Sequence, residues 1–250
     1  MEGFKTALIN EIEKLYKKKK LLVAVIISVI FIIMGQVTIL GVRSGFGIRG
    51  ASSMDFPILV LSVIVNSILP LFTALITIDS FSGEFSQNIM KIALTRPITR
   101  LKFFTAKLTA IIIYILFNLY FIMLLSVLTG FMFNSNSFTL RGIFNIIVSY
   151  TVTLLPMVIL ALVIIILANL IKSGTGVFFA AVLVFIAFKV LEVVLSKYSG
   201  IFFTSMLDWY KLWIMNSLPI LKIIRRFMMI LSYGIIFFTA GYYFFDKKDF

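Results

Sequence analysis

Six stretches of this sequence are long and apolar enough to cross a lipid bilayer, and no other feature constrains the fold as tightly. They run over residues 21–42, 57–78, 108–133, 143–171, 176–195 and 227–245. About 20 apolar residues in a helix are needed to span the hydrocarbon. Inside it, every backbone N–H and C=O must find its partner within the segment, so each stretch is expected to be a helix. The first four and the last contain no charged residue, while the fifth carries Lys189 and Glu192 near one end. The expectation is an all-α integral membrane protein, residues 1–250 forming a single transmembrane domain with six spans.

Composition agrees. The chain is 61% apolar and only 13% charged, with 27 Phe among 250 residues, against roughly half apolar and a quarter charged for soluble domains. There is no Cys and no His, which removes disulfides, thiol chemistry, the usual general base and the commonest metal ligand. No G-x-x-x-x-G-K-[ST] phosphate loop occurs, so the chain is not expected to hydrolyse ATP, bind a cofactor or act as an enzyme. The net charge of +13 does not point to nucleic acid, because most of the cations stand at the ends of the apolar stretches, where membrane orientation places them.

The cations also orient the chain. With both termini on one side, that side holds Lys5, Lys14, Lys17 to Lys20, Lys91, Arg96, Arg100, Lys102, Lys107, Lys172, Lys247 and Lys248, whereas the short loops opposite hold Arg43, Arg49 and Arg141. The positive-inside rule then puts both termini in the cytoplasm. Lys222, Arg225 and Arg226 oppose this bias. The first apolar stretch is too long for a signal h-region and no A-x-A site follows it, so it is expected to remain as an anchor.

Residues 1–20 read as a helix on the membrane surface, with Phe4, Leu8, Ile12, Leu15 and Tyr16 on one face and Asn10, Glu13, Lys14 and Lys17 facing away. Residues 196–226 form the long outer loop. Met206, Trp209, Tyr210, Trp213, Ile214 and Ser217 repeat at helical spacing, which predicts a short helix dipping into the outer interface and ending before Pro219. It serves either as a lid over a pathway or as a packed cap on the bundle.

Between the second and third spans, residues 79–107 leave the bilayer for about one short helix and return. Ser86 is a suitable N-cap for a helix over 87–94, with Ile89, Ile92 and Ala93 along one face and Met90 and Leu94 beside them. Gln87, Asn88 and Lys91 are polar. Thr95-Arg96-Pro97 ends that helix and starts the next, Pro being tolerated in a first turn. Arg100, Lys102 and Lys107 pin the cytoplasmic end of span three. A short amphipathic helix tied rigidly to two spans can dock in a groove on a soluble partner, and an ordinary solvated loop is the alternative.

This segment resembles the signature of permease subunits of the type 2 ABC exporter family: Glu, a polar pair, Gly-Thr, an apolar run, Arg-Pro-x-Ser/Thr-Arg and a later Lys. Glu84, Leu94, Arg96, Pro97, Thr99, Arg100 and Lys107 match, and Asn88 and Ile89 stand at the Gly-Thr positions. The N-terminal amphipathic helix, the Lys172-Ser173-Gly174 turn and the FFDKKDF ending are also similar to that family. The resemblance implies a permease in the bacterial plasma membrane, paired with a second copy or a paralogue and driven by an ATPase dimer that binds ATP and Mg. Glu84, Ser86, Ile89, Met90, Lys91, Ile92, Leu94, Arg96, Pro97 and Arg100 would then form the ATPase-coupling site. The cargo implied is a hydrophobic or amphipathic peptide such as a toxin, bacteriocin or antibiotic. A secondary transporter or channel without an ATPase is the other class open to such a chain.

Polar residues within the spans complete the candidates. Lys189 and Glu192 lie three apart on one helix face and either pair as structure or line a path or gate. Asn66 with Pro70, Asn118, Pro156 and Gln36 mark polar or kinked points inside other spans.

Overall fold

The computed structural model describes residues 2–17, 20–46, 52–83, 98–135, 137–171 and 173–248. Their helices are α1 (Glu2–Lys17), α2 (Lys20–Phe46), α3 (Asp55–Asn66), α4 (Ile68–Ile78), α5 (Arg100–Phe133), α6 (Leu140–Leu170), α7 (Gly174–Val194) and α8 (Ile220–Asp246). A π-helical turn, Asp79–Gly83, continues α4, and two 3₁₀ segments, Ser196–Ile201 and Phe203–Trp213, join α7 to α8.

Helix starts follow side-chain chemistry. Thr99, Thr139 and Ser173 are extended in backbone and cap α5, α6 and α7, their hydroxyls accepting from the N–H of Lys102, Gly142 and Gly176. Such caps satisfy donors that the helix leaves orphaned. Thr99 therefore fixes the start of α5 at Arg100, and Pro97, expected in a first turn, lies outside the described residues.

Four helices, within α2, α5, α6 and α7, are long and apolar enough to cross a membrane, and the pair α3 with α4 counts as a fifth span if taken together. That pair departs from the single span expected over 57–78. It is bent by 50° at the break between Asn66 and Ile68, where Ser67 has left helical geometry at φ −126°, ψ −80°. Pro70 lies in the first turn of α4 and cannot donate to the Asn66 carbonyl, so the break falls where one rung of the helix ladder is already missing. The sixth expected span, 227–245, lies within α8, which starts earlier, at Ile220, and takes Lys222, Arg225 and Arg226 out of the loop and into the helix.

α6 is the most enclosed candidate span and α7 the least. α6 packs against α4, α5, α8 and the second 3₁₀ segment, and α1 and α2 both lie against α5. Glu11 meets α5 at Lys107 and Gln36 meets Asn134 just beyond its other end, so α1 and α2 follow one another along α5 in its own direction. Arg100, in the first turn of α5, donates to the Asp246 carbonyl at the end of α8. Both ends of the described chain thus gather at the start of α5, here termed the terminal end. At the far end, a parallel bridge joins Ser52 to Ser135, Ser53 N–H donating to the Ser135 carbonyl at 3.0 Å.

The outer loop differs from its sequence reading in detail. Phe203–Trp213 is a 3₁₀ segment and stops well before Pro219. Phe203, Met206, Leu207, Trp209 and Tyr210 are buried, so it packs into the bundle as a cap.

Candidate functional site

Two polar constellations stand out in an otherwise apolar molecule. The first lies at the terminal end, at the root of the coupling segment. With Arg100 fixed as the first residue of α5, its opening turns bring Phe103, Phe104 and Lys107 inward, and Lys107 is wholly buried. The sequence placed that cation at the membrane edge as a topology anchor. Its ammonium instead donates to Glu11 Oε2 at 2.8 Å and to the Ser80 carbonyl at 2.9 Å. Ser80 belongs to the π turn, where the ordinary i, i+4 ladder is interrupted, so Lys107 reaches a carbonyl that the local ladder leaves accessible. Glu11 is itself buried, and its other oxygen accepts from Lys14 at 2.7 Å.

Two buried charges are tolerable only when paired and hydrogen-bonded, and both conditions hold here. Burial pushes the Glu11 carboxyl upward, but Lys107 and Lys14 outweigh it and hold the group below its ordinary value. Lys107 also sits 4.9 Å from the Phe103 ring centroid, a cation–π distance. Around it, Phe81, Phe104 and Phe245 are fully buried, with Phe104 5.7 Å from Phe81 and 5.5 Å from Phe245. Phe245, near the end of α8, is thereby part of the root.

α1 is accordingly more than a surface helix. Its buried stripe runs through Glu11 and Leu15, whereas Tyr16, expected on the apolar face, is 76% exposed. Of the expected coupling residues, Arg100 is exposed and bonded to the Asp246 carbonyl. Glu84, Ser86, Ile89, Met90, Lys91, Ile92, Leu94, Arg96 and Pro97 lie outside the described residues.

The second constellation is a polar layer toward the far end. Glu192 pairs with Lys189 at 3.5 Å and accepts from Thr204 at 3.0 Å. Arg226 donates to the Gly200 carbonyl at 3.0 Å and to Ser205 Oγ at 2.8 Å. Asn66 donates to Asp208 at 3.3 Å, and Asp208 pairs with Lys211 at 3.0 Å. At 1.5 Å per residue, Arg226 is roughly 30 Å along α8 from Asp246, and Glu192 roughly 27 Å along α7 from Gly174. The layer therefore stands about one hydrocarbon thickness, ~30 Å, from the terminal end.

Asn66, Lys189 and Glu192 all belong to this layer. Asn118 does not: it is buried on α5, roughly 16 Å beyond Lys107, and its Oδ1 meets no donor among the described residues. Sequence reasoning missed Glu11, Thr204 and Asp208 as partners. Only Glu11 left a signal, since it stands between Leu8 and Leu15 on the apolar side of α1.

The fold and these two constellations define a multi-pass helical membrane protein whose terminal end is fastened by buried charge and whose far end is closed by a polar, loop-covered layer. The model of the ABC-2 family transporter protein matches residues 7–188, and the chain belongs to that family. It is an ABC-2 type permease, a membrane component of a kind that works with an ATPase partner. No curated protein matches the chain.

Proposed function

We propose that this chain is the permease subunit of an ATP-driven exporter. It pairs with a second copy or a paralogue, crosses the bacterial plasma membrane six times with both termini in the cytoplasm, and takes its energy from a separate ATPase pair that holds ATP and Mg. Segment 84–97 is the contact with the ATPase, through Ile89, Met90, Lys91, Ile92 and Leu94, with Glu84, Ser86, Arg96, Pro97 and Arg100 shaping its ends.

The observation that carries this reading is the family match, which runs through the whole segment. The root geometry supports it mechanically. The segment leaves from the π turn and re-enters at Ile98, and both flanks are held by the Lys107 bonds to Glu11 and Ser80 and by the aromatic packing of Phe81 and Phe104. A push on a helix held in this way reaches α4 and α5 as rigid bodies and is not absorbed in the loop.

The cargo proposed is a hydrophobic or amphipathic peptide, in keeping with the broad apolar flanks of α7 and α8. Lys189, Glu192 and Asn66 would guard the exit of its path, and Asn118 would lie within it. The test is co-purification with the ATPase. Lys91→Glu, Ile89→Pro or Ile92→Pro should abolish the complex while membrane insertion is retained, and an intact complex in all three overturns the coupling assignment. Stimulation of the reconstituted complex's ATPase by peptides, but not by unrelated drugs, tests the cargo.

A further inference from the structure

Three cations, Lys222, Arg225 and Arg226, fall in the first two turns of α8. A helix N-terminus already carries positive partial charge, so cations there are unfavourable unless an anion compensates them, and no acidic residue lies in that first turn. Lys211 of the 3₁₀ segment faces the same space. The four cations line a cavity of about 410 Å³ together with a single carboxylate, Asp208. Asp208 is engaged with Lys211, and Arg226 with Gly200 and Ser205. The side chains of Lys222 and Arg225 are exposed and have no hydrogen-bond or ion-pair partner among the described residues.

Position suggests what balances them. Lys222 and Arg225 lie roughly 31–36 Å along α8 from Asp246, just beyond a hydrocarbon core of about 30 Å, which is headgroup depth in the leaflet away from the termini. From there Met229, partly exposed, and Ile236, exposed, continue the face of Lys222 and Arg225 down α8 toward the terminal end, at the i, i+3/i+4 spacing of one helix side. A cationic cavity above an apolar track matches an amphiphile with an anionic head.

We propose that this cavity binds the phosphate of an anionic phospholipid, with Lys222 and Arg225 as its principal partners and the acyl chains running down α8 past Met229 and Ile236. A bound lipid phosphate explains why these three cations oppose the charge bias of the other loops. It also places a lipid beside the 3₁₀ segment that closes the far end.

The test uses the intact protein in detergent. Both tryptophans of the chain are in the Phe203–Trp213 segment, and Trp209 lines the cavity, so intrinsic fluorescence reads the site directly. Phosphatidylglycerol in mixed micelles should give a saturable change, phosphatidylcholine a much weaker one, and inorganic phosphate none in the same concentration range. K222Q/R225Q should weaken the phosphatidylglycerol response by about tenfold or more, each cation near an anionic headgroup being worth several-fold, while K222R/R225K should keep it. The melting temperature of each variant checks the fold. Should K222Q/R225Q fail to fold, K222Q and R225Q alone carry the comparison. Equal responses to the two lipids, an unchanged response in the neutral variants, or an equal response to free phosphate overturns the proposal.

Discussion

Glu11 and Lys107 stand 96 residues apart in sequence and 2.8 Å apart in space, as a buried ion pair that fastens the first helix to the root of the coupling segment. Its worth lies in being intact, because removing one partner strands a buried charge at about 3–5 kcal/mol. Lys107→Met and Glu11→Leu should each lower the melting temperature of the detergent-solubilised protein sharply. The double variant should cost clearly less than the sum of the two, a coupling that a double-mutant cycle measures directly. Purely additive losses would show that the pair does not act as a unit.

The same pair sets an acid limit. Glu11 is held below its ordinary value of 4.5 in the fold, so folding favours the ionised carboxylate. That contribution is complete above the ordinary value and disappears as pH falls through the folded one. Melting temperatures taken from pH 7 downward should fall in wild type below about pH 4.5, and Glu11→Gln should start lower and show a shallower acid limb.

Glu192 and Lys189 are expected to separate in their effects. Lys189 offers a partly exposed ion pair at 3.5 Å, of a kind worth about 0–1 kcal/mol, so Lys189→Leu should leave stability and tryptophan emission close to wild type. Glu192 also accepts from Thr204 at 3.0 Å and so holds the start of the 3₁₀ segment. Glu192→Leu should loosen that segment and shift tryptophan emission to longer wavelength, with Thr204→Val giving a smaller shift in the same direction. Identical spectra in all three variants would leave Glu192 without a positioning role.

Much of the fold was legible in the sequence because lipid leaves the chain so few choices. The stretches 21–42, 108–133, 143–171 and 176–195 each lie almost wholly within one helix, since apolar runs of that length must satisfy their backbones internally. What escaped was pairing across sequence distance. Lys107 reads as one more cation at a span's end, and nothing local reveals that residue 11 neutralises it. A carboxylate between Leu8 and Leu15 was the available sign. The hinge at Ser67 was half visible in Asn66 and Pro70, but its 50° bend depends on how α3 packs beneath the far end. The 3₁₀ geometry of Phe203–Trp213 was not visible, because apolar spacing at three and four residues suits both helix types. Of the polar layer, Asn66, Lys189 and Glu192 stood out in the sequence one at a time, whereas their partners Thr204 and Asp208 and the bonds of Arg226 did not.

Gly130 is a place where the far end tolerates no side chain. A Cβ there would stand 2.8 Å from the Ser53 carbonyl oxygen and 3.5 Å from the Phe56 ring. The first neighbour is backbone, tied into the bridge to Ser135, and cannot swing away. Gly130→Ala should therefore destabilise by about 1–3 kcal/mol, as overpacking does. Gly142→Ala meets Thr139 Oγ1 at 2.8 Å and the Met54 side chain at 2.9 Å. Met54 can change rotamer, so this variant should lose less. Thermal melts of the two variants side by side check the order.

The sharpest test concerns Trp209 and Pro156. A proline within α6 cannot donate to the carbonyl four residues before it, so Pro156 leaves the Val152 oxygen without its helical partner. Trp209 Nε1 donates to that oxygen at 2.8 Å, and the far loop is thus pinned to α6 at the one rung the helix cannot close. Trp209→Phe keeps most of the apolar volume and removes the donor, stranding a buried carbonyl at about 1–3 kcal/mol. Adding Pro156→Ala restores a backbone N–H that can reach Val152 from within the helix. The loss caused by Trp209→Phe should accordingly be smaller in the Pro156→Ala background than in wild type, measured by thermal or denaturant unfolding in a fixed detergent. If the tryptophan substitution costs the same with or without the proline, the hydrogen bond is not what holds the loop, and the apolar burial of Phe203, Met206 and Leu207 must suffice.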